Sequence, residues 1–375
     1  MAEGYWHRQF ETFWSYLWRV RKHQVVLLTV GLSMTALGAA GALRVVFEFT
    51  DGDRSGSAAV DLGASPGGAW DGAMIIVGLL LAAAGGWVIV SDYFYNRRLA
   101  ERHRAIVIWF RGLRNVRGED PSVAVPEDVL GQRTLIDVDI RDYVAESRVA
   151  DPVSALAKVT ATIPSSIKAL TSGVSSSDRT VVFAGLGSVP FTVLIGMLLG
   201  NQDRTLVLDW DRQAERWRQA DTPDDGEAFH VQMPDGPPPM DVVLVGALSY
   251  PVDLAKVAHA FPNVPIHQVE RSEVHVHNHW SGAKQMRLAE TIRSHCANLE
   301  ARGVTRIHMV LSCQSSVAFN IGRAYDWRNL PELLVYEFQR DAEPSYPWAI
   351  RMPTGGRETA EIAGDARQLG SANGS

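Results

Sequence analysis

The sequence predicts an α-helical hairpin of two membrane spans followed by an α/β region of two fused Rossmann-like units. Two long uncharged stretches lie near the N-terminus, at residues 25–43 and 73–90. Further along, an apolar run typical of a buried strand, a turn of small residues and a helix follow one another twice. The helix opens with Ser-Val-x-Phe both times, at Ser188 and Ser316, an offset of 128 residues (316 − 188). This repetition indicates a duplicated unit, although any two doubly wound units share the rhythm.

Composition and charge limit the classes of function. The chain has 375 residues, 46% of them hydrophobic and 21% charged, which is ordinary for a folded protein. Its formal net charge of −6 gives no overall signature of a protein that binds duplex nucleic acid. The two cysteines, Cys296 and Cys313, both lie in the C-terminal half. Their scarcity favours a reducing compartment for that half and argues against a disulfide framework.

Residues 1–24 predict an interfacial helix. Aromatic side chains recur there at helical spacing, and basic residues follow them. Aromatic rings prefer the interface between membrane and water, so this helix is expected to lie along the bilayer surface. A surface helix packed on protein is the alternative. The aromatic residues at helical spacing are Trp6, Phe10, Phe13 and Trp14.

Residues 25–46 and 73–95 are predicted to be transmembrane helices, joined by a loop over residues 47–72. Their uncharged parts, residues 25–43 and 73–90, match the thickness of a bilayer hydrocarbon core at about 1.5 Å per residue. A cleaved signal peptide is the alternative for the first stretch, but the second stretch close behind weakens it. Lys and Arg are concentrated on the two outer flanks, whereas the loop is acidic. The loop is therefore predicted to face out and both termini to be cytoplasmic.

Small residues recur every four positions in the second span, at Gly78, Ala82 and Gly86. This small-residue ridge allows a second helix to approach closely. It either closes the hairpin within one chain or packs against another chain. Neither span carries an ionisable residue in its middle, so the sequence shows no proton relay or ion-selective lining.

The cytosolic region divides into two predicted halves, residues 96–218 and 241–353. Residues 219–240 between them are rich in Asp, Gly and Pro, which is typical of a linker. Residues 354–375 form a Gly- and Ser-rich tail that we predict to be disordered.

Capping residues mark the ends of two helices in these halves. Asp151 and Pro152 predict the N-terminus of a helix that runs to about residue 170, in which Pro164 is expected to produce a kink or a break. Residues 281–302 form the most regular predicted helix of the chain, and Gly303 provides its stop.

The turns that follow the predicted strands hold the candidate ligand-binding residues. A turn of small residues at the start of a helix leaves backbone N–H groups unpaired, which suits an anion. Open α/β sheets bind ligands at the carboxyl ends of their strands, so we expect these turns to converge there. Aromatic rings nearby offer stacking surfaces for bases, although any single ring is more often part of a core. The candidate ligand-binding residues are Arg111, Gly185, Gly187, Ser188, Trp210, Ser249, Tyr250, Trp280, Lys284, Ser312, Gln314, Ser315, Ser316 and Phe338.

No catalytic residue, metal site or cofactor is predicted. His275, His277 and His279 alternate along a predicted strand and form the most tempting metal pattern, but a polar segment beside a ligand pocket is the favoured interpretation. The sequence lacks a nucleophile elbow, a Walker A lysine and paired Cys-x-x-Cys motifs. Hydroxyl and amide side chains without a general base nearby suit the binding of phosphates and base edges better than bond-making.

Residues 105–353 resemble a SAVED domain, a sensor made of two CARF-like halves. The resemblance rests on four segments: Trp280-Ser-Gly-Ala-Lys-Gln-Met, Ile307-His-Met-Val-Leu-Ser-Cys-Gln-Ser-Ser, Ile321-Gly-Arg and Val335-Tyr-Glu-Phe. With two spans before it, the whole chain resembles the transmembrane-SAVED effectors of CBASS anti-phage defence. The first turn, which runs from Gly185 as Gly-Leu-Gly-Ser-Val-Pro, is more glycine-rich than its counterpart, so which half holds which base stays open.

The resemblance implies a function. Its ligand would be a cyclic di- or trinucleotide made after phage infection by a CD-NTase-type nucleotidyltransferase, the functional partner. Binding would assemble copies of the chain into a homo-oligomer that disrupts the bilayer of the bacterial inner membrane and kills the infected cell. The loop between the spans would be periplasmic, and the chain would not be an enzyme. A membrane-tethered phosphodiesterase for such messengers and a nucleotide-independent membrane scaffold are the alternatives.

Overall fold

The computed structural model of the chain describes residues 29–33, 35, 43–51, 54–62, 69–113, 119–146, 148–200, 204–272 and 274–364. The chain falls into two compact units, Met1–Ala100 and Glu101–Ser375. The interfacial helix predicted over residues 1–24 lies outside the described residues, as do most of the first predicted span and the end of the tail.

The first unit contains a helical segment, a β-hairpin and a long helix. Residues 29–33 and 35 are helical, and strands β1 (Leu43–Asp51) and β2 (Arg54–Leu62) pair antiparallel. Because β1 begins inside the predicted first span, the helix of that span ends before residue 43, earlier than predicted. Arg44 ends the uncharged stretch, and the β-branched and aromatic residues that follow it favour a strand.

Helix α1 (Ala69–Arg102) extends beyond the predicted second span at both ends. Its segment Ile75–Asp92 is long and apolar enough to cross a membrane. Among the described residues, it is the one segment that meets this test.

The small-residue ridge of α1 lies against the helical segment that precedes β1. A Cβ added at Gly78 would lie 2.6 Å from the Thr35 amide nitrogen. A Cβ added at Gly31 would lie 2.5 Å from the Ala82 amide nitrogen. Gly78 and Ala82 therefore pack within the chain, which is the first of the two roles considered for the ridge. Gly86, one turn further along α1, is partly buried.

The second unit is built on two sheets. The strands of the first are β3 (Arg104–Arg111), β4 (Gln132–Asp139), β7 (Arg179–Leu186), β8 (Arg204–Asp211) and β9 (Arg216–Gln219), and a small separate hairpin consists of β5 (Val144–Ala145) and β6 (Arg148–Val149). Their order in the first sheet is β4-β3-β7-β8-β9. All neighbours are parallel except β9, which is antiparallel to β8.

The second sheet has seven strands in the described chain. They are β10 (His230–Gln232), β11 (Asp241–Ala247), β12 (Ile266–Glu270), β13 (Arg306–Ser312), β14 (Glu332–Glu337), β15 (Trp348–Arg351) and β16 (Glu361–Ala363). Their order is β10-β12-β11-β13-β14-β15-β16. Strands β11 to β14 are parallel neighbours, and β10, β15 and β16 are antiparallel to theirs.

The two sheets share one topology, which confirms the predicted pair of Rossmann-like units. Five strands of the second sheet, in the order β12-β11-β13-β14-β15, match the order β4-β3-β7-β8-β9 of the first sheet, with the same relative strand directions. The helices that accompany them are α2 (Pro152–Thr171), α3 (Val189–Leu199), α4 (Leu254–Ala260), α5 (Gly282–Ala301) and α6 (Ser315–Ala324). Strands β7 and β13 begin 127 residues apart (306 − 179), close to the offset found in the sequence.

The predicted helix ends are confirmed. Asp151 accepts a hydrogen bond from the Ser154 amide at 3.0 Å at the start of α2, with Pro152 in the first turn. Gly303 follows α5 with a φ of +91°, a left-handed conformation that glycine adopts without strain. Pro164 does not split α2, which continues to Thr171.

The two halves share one hydrophobic core at the crossing of α3 and α6. Helix α3 packs on β14 and β15, whereas α6 packs on β7 and β8, so each half places a helix on the sheet of the other. The rings of Phe183 and Phe319 stack with centroids 4.0 Å apart. A Cβ added at Gly322 would overlap the Val193 carbonyl oxygen, which shows how closely the helix backbones approach.

The predicted linker and tail are more structured than the sequence indicates. Within residues 219–240, β10 pairs with β12, and Asp224 forms a 2.7 Å ion pair with Arg287 on α5. Within residues 354–375, β16 pairs with β15, so the predicted disorder does not hold for Glu361–Ala363. Both segments take their structure from strands or helices outside themselves, which composition does not reveal.

Candidate functional site

Helices α3 and α6 begin at the carboxyl ends of β7 and β13, where the sequence places two of its candidate turns. Ser188 precedes α3 and Gln314 precedes α6, but neither side chain caps its own helix. The Ser316 amide in the first turn of α6 instead donates to Asp209 Oδ2, at the end of β8, over 3.1 Å. A carboxylate of the first half therefore caps a helix of the second half.

An equivalent carboxyl group lies near α3. Glu337, at the end of β14, is close to Ser188, whose buried hydroxyl has no hydrogen-bond partner among the described residues. Glu337 is 128 residues from Asp209 (337 − 209), the same offset that separates Ser188 from Ser316. Each half thus places a carboxyl group beside the start of the other half's helix, and we call Asp209 and Glu337 the crossed carboxyls.

A buried polar cluster surrounds Asp209. His279 Nε2 lies 3.8 Å from Asp209 Oδ2, and the two side chains are 4% and 1% exposed. Gln285 donates to the Ser316 hydroxyl at 3.0 Å and accepts from the Asn320 amide at 2.7 Å. Burial lowers the pKa of His279, so its imidazole is neutral at pH 7.

The turn after β11 meets the turn after β13. The Ser249 amide donates to the Ser312 carbonyl oxygen at 2.9 Å. Gln314 Nε2 lies 3.4 Å from the Tyr250 hydroxyl and 3.3 Å from the Val276 carbonyl oxygen. The Tyr250 ring is exposed. Four candidate residues therefore come together, and Ser315 and Ser316 follow directly in α6.

Two of the predicted stacking rings are engaged by other side chains. Trp210 packs edge-on against Trp217, with ring centroids 5.4 Å apart. Trp280 lies 4.4 Å from the His279 ring and 4.9 Å from the Arg218 guanidinium. Both indole rings pack against protein side chains, so a base that stacked on either ring would have to compete with those contacts.

Phe338 and Lys284, also predicted as ligand contacts, differ in how available they are. Phe338 is 48% exposed, with the Lys256 ammonium 5.5 Å from its ring centre. Lys284 is buried and forms ion pairs with Asp225 and Glu227, both at 2.6 Å. The charge of Lys284 is therefore neutralised inside the protein, whereas the Phe338 ring stays partly accessible to a ligand.

Arg111 is also held by carboxylates. It forms paired hydrogen bonds with Asp137 and a 3.1 Å ion pair with Asp139. Its guanidinium stacks 4.6 Å above the centre of the Trp109 ring. An anion that binds Arg111 would have to compete with both aspartates.

The glycines of the first turn make room for aromatic rings. A Cβ added at Gly185 would overlap the Phe183 ring, and one added at Gly187 would overlap the Phe110 ring. The packing of the Phe183 and Phe110 rings against this turn therefore explains its glycine-rich sequence. A role as a phosphate cradle stays a prediction for Gly187, which is partly exposed.

The three histidines do not lie on one strand, as the sequence predicts, but in a turn. The rings of His275 and His277 are 5.3 Å apart, and His279 is buried beside Asp209. In a turn, unlike in a strand, every second side chain does not point to the same side, so the alternation does not bring the three imidazole rings together. The described residues contain no group of three or more side chains placed to bind a metal ion.

A cavity of about 500 Å³ lies away from all these residues, at the C-terminal ends of α3 and α6. It contains none of the candidate ligand-binding residues. Its charged and aromatic lining consists of Arg293, Arg323, Asp326, Trp327 and Arg328.

Comparison with known families assigns this fold. The family model of the SAVED domain, the SMODS-associated and fused to various effectors sensor domain, matches residues 163–352, which is just over half of the chain. The chain belongs to the SAVED family. A second family model, the SAVED-fused 2TM effector domain, matches residues 6–156. Together they make the protein a transmembrane-SAVED effector of the CBASS type, which confirms the resemblance. No curated protein matches the chain.

The SAVED protein is also similar to solved Cap4 SAVED/CARF-domain containing receptors. The Acinetobacter baumannii receptor with the cyclic trinucleotide 2′3′3′-cAAA has a TM-score of 0.44 and 10% identity, over 79% of this chain and 59% of that chain. The Moraxella osloensis receptor has a TM-score of 0.45 and 11% identity, over the same shares. This chain thus spans less than two thirds of the length of those receptors.

Sequence reasoning missed the polar residues at the centre of the SAVED domain, notably the crossed carboxyls and His279. A signal for the carboxyls was present. Asp209-Trp210 and Glu337-Phe338 repeat an acidic–aromatic pair at the offset of the helix motif. His279 stands out in the sequence only as one of three alternating histidines, and its contact with Asp209, 70 residues away (279 − 209), leaves no signal.

Glu337→Gln is expected to stabilise the SAVED protein, and more at high pH. Burial raises the pKa of Glu337 to about 8, from an ordinary 4.5. The stability that depends on its proton is fully present below pH 4.5 and is lost as the pH rises towards about 8. Glutamine does not ionise, so the variant should exceed the wild type by roughly 2–4 kcal/mol near pH 8 and equal it near the lower limit.

Chemical unfolding of the full chain in detergent across this pH range measures the effect. Glu300→Gln, at an exposed position on α5, is the matched control and should leave the pH profile unchanged. A Glu337→Gln profile that runs parallel to that of the wild type would show that the carboxyl is not desolvated.

Proposed function

We propose that this chain is a membrane effector that a cyclic di- or trinucleotide switches on. The observation that carries the proposal is the pair of family matches on one chain, a SAVED sensor domain after a 2TM effector domain. The first implies recognition of a signal in the cytosol, and the second implies an output in the membrane.

The ligand is expected at the N-termini of α3 and α6. The partial positive charge of a helix N-terminus attracts phosphate groups, and Val189 and Val317, in the first turns of the two helices, pack in one hydrophobic core. Tyr250 and Phe338 are exposed rings on which bases can stack. Gln314 and Ser315, which are partly exposed, supply amide and hydroxyl groups for phosphates or base edges.

Membrane disruption is expected to follow from a shift in population between an unassembled and an assembled state of the chain. A ligand moves the chain towards an assembled state only by binding that state more tightly. The assembled homo-oligomer would bring several hairpins together and breach the bacterial inner membrane, with the loop periplasmic and both termini cytoplasmic. The ligand would come from a CD-NTase-type nucleotidyltransferase, and the chain itself would perform no chemistry.

The double variant Gln314→Ala with Ser315→Ala is expected to weaken binding at least about tenfold, which is roughly 1.4 kcal/mol. Its own stability should hardly change, because the Gln314 contacts are long, at 3.3 and 3.4 Å. The measurement is a ligand-dependent thermal shift of the full chain in detergent. A panel of cyclic di- and trinucleotides is used, beginning with the two cAAA rings found in the Acinetobacter receptor structures.

Gln232→Ala, at an exposed edge-strand position, is the control and should bind like the wild type. Unchanged affinity in the double variant would remove this turn from the site. Breakdown of a ring during the assay would favour the phosphodiesterase alternative. Absence of any shift across the panel would favour the nucleotide-independent scaffold.

A further inference from the structure

The Asp209–His279 pair has an incomplete hydrogen-bond pattern. His279 Nδ1 lies 2.9 Å from the Val276 carbonyl oxygen, which can only accept, so Nδ1 carries a hydrogen. In the neutral imidazole, Nε2 then carries a lone pair. Nε2 faces Asp209 Oδ2 at 3.8 Å and has no hydrogen-bond partner among the described residues. Two acceptors thus face each other in a buried site.

One proton would complete this pair. Protonated at Nε2, His279 would donate a charge-assisted hydrogen bond to Asp209. Burial opposes this, since it lowers the pKa of His279. A further negative charge close by would favour the proton, because opposite charges about 4 Å apart attract each other appreciably near a protein surface.

The first turn of α6 is where such a charge can bind. The helix has ten residues, and its N-terminus carries the partial positive charge that attracts phosphate. Gln314 and Ser315 at its start are partly exposed, whereas Ser316 is buried and bonded to Asp209. A phosphate bound at the first turn of α6 would therefore lie beside the Asp209 carboxylate, which carries a charge of the same sign.

We propose that the first turn of α6 is a subsite for one phosphodiester of the ligand, and that His279 takes up a proton when the phosphodiester binds. The identity of the ligand rests on the proposed function. His279 acts as a positioning residue, since its proton neutralises Asp209 and removes the repulsion between Asp209 and the phosphodiester. The sensor consequently binds its ligand more tightly as the pH falls.

Other titratable and charged groups around the pair set the background for this titration. Burial raises the pKa of the Cys313 thiol to about 12, so this group stays neutral in the relevant range. The groups that face the pair from the elements around it are Asp211 on β8, Arg218 on β9, Cys313 before α6 and His277 in the same turn.

Calorimetric titration of the full chain in detergent tests the proposal. The probes are 3′3′3′-cAAA, whose phosphodiesters keep a constant charge, and sulfate as a bare anion. Wild-type affinity is expected to rise about fivefold to tenfold from about pH 8 to about pH 6, with uptake of part of a proton. Proton uptake is read from the difference in binding heat between two buffers of unlike ionisation enthalpy.

Two variants assign the effect to the pair. Asp209→Asn keeps an acceptor for the Ser316 amide but removes the charge, so it should bind at least about fivefold more tightly near pH 8 and lose the pH dependence. His279→Gln should also lose the pH dependence, but at the weaker affinity of the high-pH wild type. Glu300→Gln, which removes one exposed carboxylate on α5, is the control and should keep the wild-type profile.

Each outcome decides the matter. If cAAA binds without proton uptake, or if His279→Gln keeps the wild-type pH profile, the subsite is wrong while the proposed function stands. If cAAA does not bind but sulfate stabilises the chain with a profile that depends on His279, the subsite is right and the ligand assignment fails. If neither probe binds at either pH, the subsite is wrong, whereas the proposed function fails only if the whole panel of rings gives no thermal shift. Since His279→Gln alone suffices, misfolding of Asp209→Asn would not protect the proposal.

Discussion

Gly322→Ala is expected to be the most destabilising single substitution that adds only one methyl group to this SAVED domain. The new Cβ would overlap the Val193 carbonyl oxygen where α6 crosses α3. A backbone atom cannot move aside as a flexible side chain can, so the helices must separate. In a helix interior alanine is otherwise better than glycine by about 1 kcal/mol. The overlap should reverse that preference and cost roughly 2–4 kcal/mol.

Chemical unfolding of the full chain measures this cost. Gly196→Ala should behave similarly, because its Cβ would overlap the Phe319 carbonyl oxygen on the opposite helix. Gly356→Ala is the matched control, since nothing lies within 4 Å of its added Cβ. Wild-type stability in Gly322→Ala would contradict the close crossing, and with it the shared core of the two halves.

Gly78→Leu is expected to abolish membrane leakage while leaving ligand binding intact. A Cβ at Gly78 would lie 2.6 Å from the Thr35 amide nitrogen and 2.5 Å from its hydroxyl oxygen. The larger leucine therefore forces the two helical segments of the hairpin apart. It also adds apolar surface, so insertion into the bilayer should be kept.

Ala83→Leu is the matched control for this effect, because Ala83 is exposed on α1. Dye release from loaded liposomes should be normal in Ala83→Leu and at background in Gly78→Leu. The pair Ala82→Leu with Gly86→Leu tests the rest of the ridge in the same assay. Wild-type leakage from Gly78→Leu would mean that the output does not depend on how the hairpin closes.

Local patterns explain how much of the fold is predictable. The strand, turn and helix around Ser188 and around Ser316 are encoded in neighbouring residues, and so are the helix ends at Asp151 and Gly303. The constant offset between the two copies predicts a duplicated unit, and the strand order that the two sheets share confirms it. Such features need no knowledge of distant contacts.

Long-range pairs explain what was missed. The linker residues acquire their structure from helix α5, for example through the ion pair of Glu227 with Lys284. The cap on α6 comes from Asp209, 107 residues away. Residues chosen for their chemical type alone, such as Arg111 and Lys284, are instead neutralised by carboxylates that only the fold brings to them.

The central claim is that one chain senses a cyclic oligonucleotide and breaches the membrane. Dye-loaded liposomes that carry the purified full chain test it most directly, with cyclic di- and trinucleotides added outside to chains whose SAVED domain faces out. The account predicts that dye stays inside without ligand and escapes when a ring that shifts the melting temperature of the chain is added. Tight binding of a ring without dye release, or equal release with and without it, would contradict the account.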